Sequence, residues 1–365
     1  MPKTNNTKKG GIVMSKEMNR REFLKASAAT GALVLAGDMV KGGINLAYGA
    51  VKVPEVEKAT VTVITDNYYN ALLLPSKIAQ RYGIKPGTDV YKMSLHAEHG
   101  LSYHIETTVS GSPHSFLFDY GVDFQGVSRN MELLNIDFKT VEALGLSHGH
   151  FDHWGTFLQV LKSKKEEFRK GIPLYIGEEG FVERFSQRPA GILSLGQLKR
   201  EDVERLGFVK IVEVKDPTPI VPGAYLTGSI ERVTEYEKGS PNMLIERGGK
   251  LVPDNFIGEY AVVLNLKGKG LIVLVGCAHP GIVNIVKHAQ KMTGIDKVHA
   301  VMGGFHLTGA KPELIQKTVA DMKAMNPDYV VPTHCTGYEA ITVFEKEMPG
   351  QFILNAAGTR YLFTV

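Results

Sequence analysis

Short apolar segments recur along the chain from residue 60 to the C-terminus, and most are rich in β-branched and aromatic residues. Segments of this kind, bounded by glycine, proline and polar residues, predict strands. The predicted strands are residues 60–65, 103–109, 115–121, 140–146, 174–177, 260–266, 270–275, 297–302 and 329–334. Apolar residues three or four positions apart predict helices at 129–134, 156–170, 282–291 and 312–325. This alternation of strands and helices indicates an α/β chain.

Residues 178–258 have the least regular pattern and are rich in Glu, Lys, Gly and Pro. We interpret them as an insertion within a single domain that spans residues 51–365. Binding residues concentrate on loops held by a scaffold, so this insertion is expected to shape the access of a substrate. A surface excursion without such a role is the alternative.

The first 50 residues have the pattern of an export signal. Arg20 and Arg21 are paired before a Phe-Leu-Lys sequence, and a short, Ala-rich apolar run follows at 26–36. This order resembles a twin-arginine signal, with cleavage expected before Ala50. The run is shorter than the roughly 20 residues that a membrane-spanning helix needs. We therefore predict export through the twin-arginine translocation machinery, an extracytoplasmic or periplasmic location, and no stable transmembrane segment in the mature chain; a basic amphipathic first helix is the alternative.

Composition and charge narrow the class of partner. The chain has 365 residues, of which 43% are hydrophobic and 22% charged, and its net charge is +4. A charge this small, without a basic stripe interleaved with aromatic residues, argues against nucleic-acid binding and leaves a small molecule as the expected substrate. The two cysteines, Cys277 and Cys335, cannot form a disulfide framework, and each lies within two residues of a histidine.

The densest cluster of chemically active side chains has the pattern H-x-H-x-D-H. His148 and His150 follow a predicted strand two residues apart, so their side chains are expected to point the same way. Asp152 and His153 sit on the following turn, where they can face a second point. Neutral imidazole and carboxylate suit Zn²⁺, with Fe and Mn as alternatives, so the pattern predicts two adjacent divalent metal ions. A histidine-rich loop that binds nothing is the other interpretation.

The remaining ligands are expected largely in the last third of the chain. No histidine lies between His153 and His279, and no cysteine precedes Cys277. His279, His306 and His334 each follow a predicted strand, and α/β folds build their sites at the ends of strands. We predict that His279 and His334 bind metal, and that His306 either binds metal or faces the substrate.

Three further side chains are candidates for the edge of this site. Asp119 is expected to orient a ligand imidazole by accepting a hydrogen bond from its ring N–H. Cys277 is a candidate soft ligand. His99, within the Glu-His-Gly sequence at 98–100, is a candidate for reaching the site.

The sequence SHGHFDHWG at 147–155 resembles the signature of the metallo-β-lactamase-fold superfamily, whose members are mostly binuclear metal hydrolases. Other motifs resemble one branch of that superfamily, named for an archaeal dihydropterin-6-methyl-aminobenzene-ribofuranosyl-phosphate synthase. These motifs are Asp66-Asn67, EHGLS at 98–102, FDYG at 118–121, GCAHPG at 276–281, GGFHL at 303–307 and PTHC at 332–335. The similarity extends from residue 60 to the C-terminus.

The resemblance implies an αββα sandwich, in which two mixed β-sheets face each other, helices cover their outer faces, and metals bind at one edge. It also implies which residues hold each ion. By similarity, His148 and His150 hold the first metal, and Asp152 and His153 hold the second.

The chain departs from the pattern of many relatives at two places. In those relatives a Thr-Pro-Gly-His turn completes the first site, and an aspartate bridges both ions. Here the corresponding turn at 221–225 lacks a histidine, and the sequence GCAH at 276–279 stands where the aspartate is expected. His279 is therefore expected to take one of these two roles.

The predicted function is metal-dependent hydrolysis of a phosphoester, pyrophosphate or lactone-type substrate. A metal lowers the pKa of bound water to roughly 7, so hydroxide becomes available as a nucleophile. Asp152, by orienting that water, and His306, by facing the substrate, are the predicted catalytic residues. The alternatives are a synthase that joins an arylamine to a pterin methyl pyrophosphate, and a non-catalytic metal-binding module. Relatives that reduce oxygen on two irons have a glutamate where this chain has His150, which argues against a redox role.

Overall fold

The structure is a computed structural model that describes residues 50–365 without residues 85 and 88. This part contains nineteen strands and seven α-helices. The predicted leader, except for Ala50, lies outside the described residues. Within the described ranges no helix combines the length and the apolar character that crossing a membrane requires.

The elements follow one another in an order close to the predicted one. The first strands are β1 (Glu55–Val56), β2 (Lys58–Thr65), β3 (Ala79–Gln80), β4 (Ser102–Val109), β5 (Ser112–Tyr120), β6 (Val141–Leu146), β7 (Ile172–Gly177), β8 (Arg184–Arg188), β9 (Gly191–Ser194) and β10 (Val209–Val214). The later strands are β11 (Thr218–Val221), β12 (Ala224–Leu226), β13 (Met243–Arg247), β14 (Lys250–Pro253), β15 (Val262–Leu266), β16 (Gly270–Leu274), β17 (Val298–Gly304), β18 (Tyr329–Thr333) and β19 (Arg360–Thr364). The helices are α1 (Phe124–Leu133), α2 (Phe151–Trp154), α3 (Phe157–Ser163), α4 (Arg200–Glu204), α5 (Ile282–Thr293), α6 (Pro312–Met325) and α7 (Tyr338–Glu347), with short 3-10 helices at Val90–Lys92, Phe138–Thr140 and His334–Thr336.

Most strands belong to two large mixed sheets. The N-terminal sheet has the order β10-β7-β6-β5-β4-β2-β19-β3, and the C-terminal sheet has the order β11-β12-β15-β16-β17-β18, with β1 beside β15. Strands β5, β6, β7 and β10 run parallel, and so do β16, β17 and β18. Antiparallel pairs such as β4 with β5 and β15 with β16 complete each sheet.

Alternation of side chains along the strands produces four layers. On β5, Phe116 and Phe118 lie in the apolar core between the two sheets, whereas Leu117 packs with residues of α1 and α3. On β15, Leu264 lies in the core between the sheets, and Val263 packs with residues of α5, α6 and α7. Because successive side chains of a strand point to opposite faces, each sheet buries both faces. The result is the predicted αββα sandwich.

Residues 178–258 are more regular than their sequence pattern predicts. They contain a third sheet, of order β14-β13-β8-β9, and they also supply β10, β11 and β12 to the two main sheets. The pattern fails here because β9 is exposed along its whole length and most of β14 is exposed too. A strand that buries neither face shows no alternation of apolar and polar residues.

The helix predicted at 156–170 is shorter in the structure, where α3 ends at Ser163. Turns follow, and they bring Phe168 against Phe138, with ring centroids 5.4 Å apart, and against Phe208, at 6.2 Å. These tertiary contacts of a buried aromatic ring outweigh the helix-forming character of the intervening lysines and glutamates.

Candidate metal centre

Chain segments that follow the parallel strands of both sheets meet at one edge of the sandwich. Carboxyl ends of parallel strands lie at the same edge of a sheet, so side chains placed there converge. The converging histidines, aspartates and cysteines are Asp119, His148, His150, Asp152, His153, Cys277, His279, His306, His334 and Cys335. Their donor atoms fall into groups, each small enough to surround one ion.

The first group consists of His148, His150 and His279, which are 1%, 5% and 3% exposed. Their donor atoms lie within 4.8 Å of one another, and the Nε2 atom of each is buried without a hydrogen-bond partner. A buried polar atom that lacks a partner costs about 1–3 kcal/mol. Three such atoms aimed at one point fit a single metal ion, because zinc binds imidazole nitrogen at about 2.0–2.1 Å.

The second group consists of Asp152, His153, Cys277 and His334, all buried. His334 Nε2 lies 3.1 Å from Asp152 Oδ2, and His153 Nε2 lies 3.7 Å from the same oxygen. The Nε2 atom of His153 is also 3.1 Å from the sulfur of Cys277. Carboxylate, imidazole and thiol are thus gathered around a second point.

Neighbouring acceptors fix the direction in which two of these rings point, those of His148 and His279. Ser147 Oγ, which donates to Asp119, lies 3.0 Å from His148 Nδ1 and accepts its N–H. Glu259 Oε2 lies 2.7 Å from His279 Nδ1. When Nδ1 carries the proton, Nε2 of a neutral ring presents its lone pair to the interior of the centre.

The second group has the same kind of support. Asp119 Oδ2 lies 2.6 Å from His153 Nδ1, as expected for a carboxylate that orients an imidazole. Asn67 clamps His334 at two points, since its Nδ2 donates to the carbonyl oxygen of His334 at 3.1 Å and its Oδ1 lies 3.4 Å from Nδ1. Both rings therefore direct Nε2 toward Asp152 and Cys277.

Backbone strain is concentrated at this centre. Nine non-glycine residues of the described chain have positive φ, and five of them line or contact the centre: Asp119 (59°), Phe256 (52°), Ala278 (57°), His306 (48°) and His334 (52°). Left-handed conformations of such residues cost of order 1–3 kcal/mol each and persist where the surroundings impose them. The strained backbone at these residues therefore sets the direction of side chains that line or contact the centre.

The first group is electrically neutral near neutral pH. Burial, with further contributions from neighbouring histidines, lowers the pKa of His148 and His279 well below the ordinary value. Burial also lowers the pKa of His150 to about 3. These rings therefore offer unprotonated nitrogens, the form that binds a metal ion.

The second group is charged instead. Burial alone would raise the pKa of Asp152, but His153 and His334 lower it below its usual range. Burial likewise disfavours a charged His153, yet Asp119 and Asp152 raise the pKa of His153 to about 9. This group thus carries both a carboxylate and a proton that a metal ion would have to displace.

Two other predicted residues stand at the rim of the centre. His99 is largely exposed, stacks on His334 with ring centroids 4.8 Å apart, and lies 3.5 Å from Asp152 Oδ2. His306 packs against His279 at 4.2 Å, and its Nδ1 is buried without a hydrogen-bond partner. His306 and His279 also line a cavity of about 240 Å³, and residues 236–241 line it too.

Buried side chains from the stretch 178–258 support the first group, and the sequence pattern does not predict this role. Arg184 is 1% exposed, and its Nε donates to Asp254 Oδ2 at 2.9 Å. Asp254 also accepts the backbone N–H of Phe256, whose ring stacks on His279 at 3.9 Å. Gly149 lies directly over the guanidinium, since a Cβ there would come within 2.3 Å of Arg184 Nη1. This close approach requires a glycine between the two first histidines.

Sequence reasoning missed Glu259, Arg184 and Cys335 as members of the centre. Glu259 precedes β15, so the rule that places site residues after strands does not find it. Arg184 and Asp254 are separated by 70 residues and form no motif. For Cys335 a signal was present, because it directly follows His334.

The fold and the histidine-rich edge together define the class of protein, which has the metallo-β-lactamase fold. The solved structure of Tm1679, a metal-dependent hydrolase of the β-lactamase superfamily, is similar to this chain, with a TM-score of 0.65 and 24% identity. The similarity covers 84% of this chain and 100% of that one. The predicted fold class is confirmed.

Two curated relatives come from Methanocaldococcus jannaschii. The chain is 34% identical over 273 residues to 7,8-dihydropterin-6-methyl-4-(β-D-ribofuranosyl)-aminobenzene-5'-phosphate synthase, covering 73% of this chain and 91% of the relative. It is 27% identical over 250 residues to the uncharacterized protein MJ0448, covering 67% of this chain and 87% of that one. The chain therefore belongs to the family of the dihydropterin-ribofuranosyl-aminobenzene-phosphate synthase, and it is an enzyme.

The N-terminus matches a separate family model. The model of the TAT (twin-arginine translocation) pathway signal sequence matches residues 17–37, which include Arg20 and Arg21. The prediction of export by the twin-arginine route to a periplasmic or extracytoplasmic location is confirmed. This segment lies outside the residues that the structure describes.

Replacing Glu259 with glutamine is expected to weaken binding of one metal ion by about 10- to 100-fold, the usual cost of losing a carboxylate partner of a ligand imidazole. The amide keeps the shape of Glu259 but can turn an NH₂ group toward His279 Nδ1, where the carboxyl oxygen Oε2 now lies 2.7 Å away. Competition with a chelator would measure the affinity. Glu246→Gln, on the exposed side of β13, is the matched control. Equal affinity in both variants would contradict a role for Glu259 in orienting His279.

Proposed function

We propose that the protein is a metal-dependent hydrolase that acts on a phosphoester, pyrophosphate or lactone-type substrate. The observation that carries this proposal is the convergence of three buried, unpartnered Nε2 atoms, those of His148, His150 and His279, beside a second group around Asp152. Buried polar groups without partners are rare in native proteins unless a ligand or ion satisfies them. The donor set fits a metal ion, because imidazole, carboxylate and thiolate are all ligands of zinc.

We assign two divalent ions to this centre, zinc first, with iron or manganese as alternatives. One ion belongs to the group of three histidines. The other belongs to Asp152, His153 and His334, with the sulfur of Cys277 within reach. When bound, the ions supply Lewis acids and lower the pKa of coordinated water to roughly 7.

The side chains of the chain would orient the reactants. Asp152 is held ionised by His153 and His334, so its carboxylate can orient the attacking water. His306 faces the cavity next to His279 and would donate a ring N–H to the substrate. His99, on the exposed side of Asp152, would contact the part of the substrate that stays in solvent.

The cavity supports an anionic substrate of which only the reacting part enters. Its volume of about 240 Å³ is below the roughly 300–1,000 Å³ typical of sites that bury a whole ligand. Among its described lining residues Lys238 is the one lysine or arginine, and it would attract a phosphate group. Because residues 236–241 line the cavity, we propose that part of the stretch 178–258 shapes substrate access.

A synthase is the second candidate, favoured by the 34% identity to a relative that carries that name. In that reaction an arylamine would attack in place of water, and pyrophosphate would leave from a pterin methyl group. The same two groups of ligands and the same cavity would serve, so geometry alone does not separate the reactions. Export by the twin-arginine route disfavours the synthase, because pterin intermediates are made in the cytoplasm.

The test is turnover by the purified, metal-loaded protein of bis(p-nitrophenyl) phosphate, a pyrophosphate ester and a lactone panel. We expect hydrolysis of at least one class, its loss with a chelator, and its recovery when zinc is restored. An arylamine is added in a parallel assay, where an amine-dependent product without hydrolysis would favour the synthase. Stoichiometric metal without turnover in either assay would overturn both and leave a non-catalytic metal-binding module.

The two ions are expected to differ in their dependence on pH. The pKa of His150 is about 3, so protons scarcely compete for the first group at neutral pH. The pKa of His153 is raised to about 9, so below that pH a proton must leave before the second ion binds. Affinity for the second ion should therefore fall by about tenfold per pH unit below 9, while affinity for the first stays nearly constant. Chelator competition at several pH values measures both affinities, and a parallel decline would contradict the assignment.

A further inference from the structure

We propose that Cys277, His306 and Cys335 form a third metal position, which takes a thiophilic divalent ion such as Zn²⁺ or Cd²⁺ and shares the Cys277 sulfur with the second group. The proposal rests on the proposed metal centre, because Cys277 belongs to both groups. It extends that centre from two ions to three.

The geometry is that of a small, closed group of donors. The donor atoms of Cys277, His306 and Cys335 lie within 4.8 Å of one another; both cysteines are buried and His306 is half-buried. Around a zinc ion bonded at about 2.3 Å to sulfur and about 2.0 Å to nitrogen, donor atoms lie roughly 3.5–4 Å apart. Closing the group on an ion therefore requires side-chain shifts of about 1 Å or less, which rotamer adjustments provide.

Strand β17 of the C-terminal sheet makes room for the sulfur atoms. Gly304 ends β17, which lies between β16, followed by Cys277, and β18, followed by Cys335. A Cβ on Gly304 would come within 2.6 Å of the Cys335 sulfur and 3.3 Å of the Cys277 Cα. The glycine thus leaves open the space in which the two thiols approach each other.

A simpler explanation accounts for part of this arrangement. Cys335 donates a long hydrogen bond, 3.5 Å, from its thiol to the carbonyl oxygen of Cys277, as an ordinary buried cysteine does. The imidazole of His306 is also hydrogen-bonded to the Cys335 thiol, yet its Nδ1 is buried without a hydrogen-bond partner and its backbone is left-handed at φ 48°. A metal ion would account for the imidazole and both sulfurs together.

The chemistry of the donors selects the ion. Two thiols and one imidazole prefer thiophilic ions to magnesium or calcium, which take oxygen ligands. Binding is an exchange without oxidation: the divalent ion forms bonds to both sulfurs, and each thiol that is still protonated releases its proton to solvent. The Cys277 sulfur has lone pairs enough to bond the second ion as well, so the two positions are compatible.

The experiment counts ions and thiolate bonds on the intact protein during titration with Cd²⁺. Elemental analysis after dialysis gives the number of ions, and the ultraviolet cadmium–thiolate charge-transfer absorbance reports the sulfur ligands. We expect three ions for the wild type and two for Cys335→Ser, with the absorbance reduced by about half. His306→Asn should also bind two ions but keep more of the absorbance. His114→Asn, at a histidine paired with Glu142 away from the centre, should behave as the wild type.

Several outcomes decide the question. Two ions and equal absorbance in the wild type and in Cys335→Ser would overturn the third position and leave the proposed hydrolase intact. Fewer than two ions in the wild type would overturn the proposed centre and this position with it. An intact mass lower by two hydrogen atoms would show a disulfide between the cysteines and would also overturn the third position.

Discussion

Replacing His150 with alanine is expected to remove one metal ion per chain and to lower activity by more than about 100-fold, since loss of a mere partner of a ligand already costs about 10- to 100-fold in metal affinity or activity. His150 contributes one of the three unpartnered Nε2 atoms of the first group, which contains His148 and His279 as its other described donors. Two imidazoles alone would bind an ion weakly. The second group, which does not include His150, should keep its ion.

The measurement is elemental analysis of the purified variant together with turnover of the best substrate of the wild type. His114→Ala is the matched control, because it removes an imidazole that pairs with Glu142 outside the centre. A His150→Ala protein with two ions and full activity would remove His150 from the centre. Circular dichroism establishes that both variants are folded before the ions are counted.

The second large effect concerns stability. Arg184→Leu is expected to lower the free energy of unfolding by about 3–5 kcal/mol, because it leaves Asp254 as an uncompensated buried charge. The two side chains are 1% and 0% exposed, so solvent cannot replace the lost partner. The two carbonyl groups that accept from Nη1, those of Glu179 and Val182, also lose their donor.

The double variant Arg184→Leu/Asp254→Leu separates the charge from the packing. Replacing both partners of a buried ion pair with apolar residues is often close to neutral, so the double variant should recover much of the loss. Urea unfolding of the three proteins gives the energies. If the single and the double variants were equally unstable, packing rather than the unpaired carboxylate would be responsible. Metal affinity should fall in the single variant too, because Asp254 holds the backbone of Phe256 against His279.

The sequence predicted those parts of the fold in which burial imposes a period. Strands such as β5 and β6 alternate or run apolar because both faces of each sheet are covered, and the helix Pro312–Met325 was predicted with its observed bounds. The strands β8, β9, β13 and β14 escaped prediction because they are short and few of their residues are buried. Backbone hydrogen bonds pair these strands, and such bonds leave no periodic pattern of apolar residues in the sequence.

The residues of the candidate centre also fall into those that the sequence predicts and those that it does not. His148, His150, Asp152 and His153 could be named because one loop brings them together, and their neighbours in sequence are their neighbours in space. Glu259 reaches His279 across a break of 20 residues, at the start of a strand rather than at its end. Such a contact depends on how two loops fold over the sheet edge. Local spacing therefore identified part of the centre, and the strand-end rule extended it toward His279 and His334.

The two candidate ligand groups also draw on both sheets, since His148 and His150 follow β6 of one sheet while His279 and His334 follow β16 and β18 of the other. A nascent chain that has folded only its first half has an incomplete set of the candidate donor atoms. Ion capture would then come late, once the second sheet has docked, and it would favour the completed sandwich by mass action. A protein that retains its metal would therefore be one whose two sheets had already docked before export from the cytoplasm.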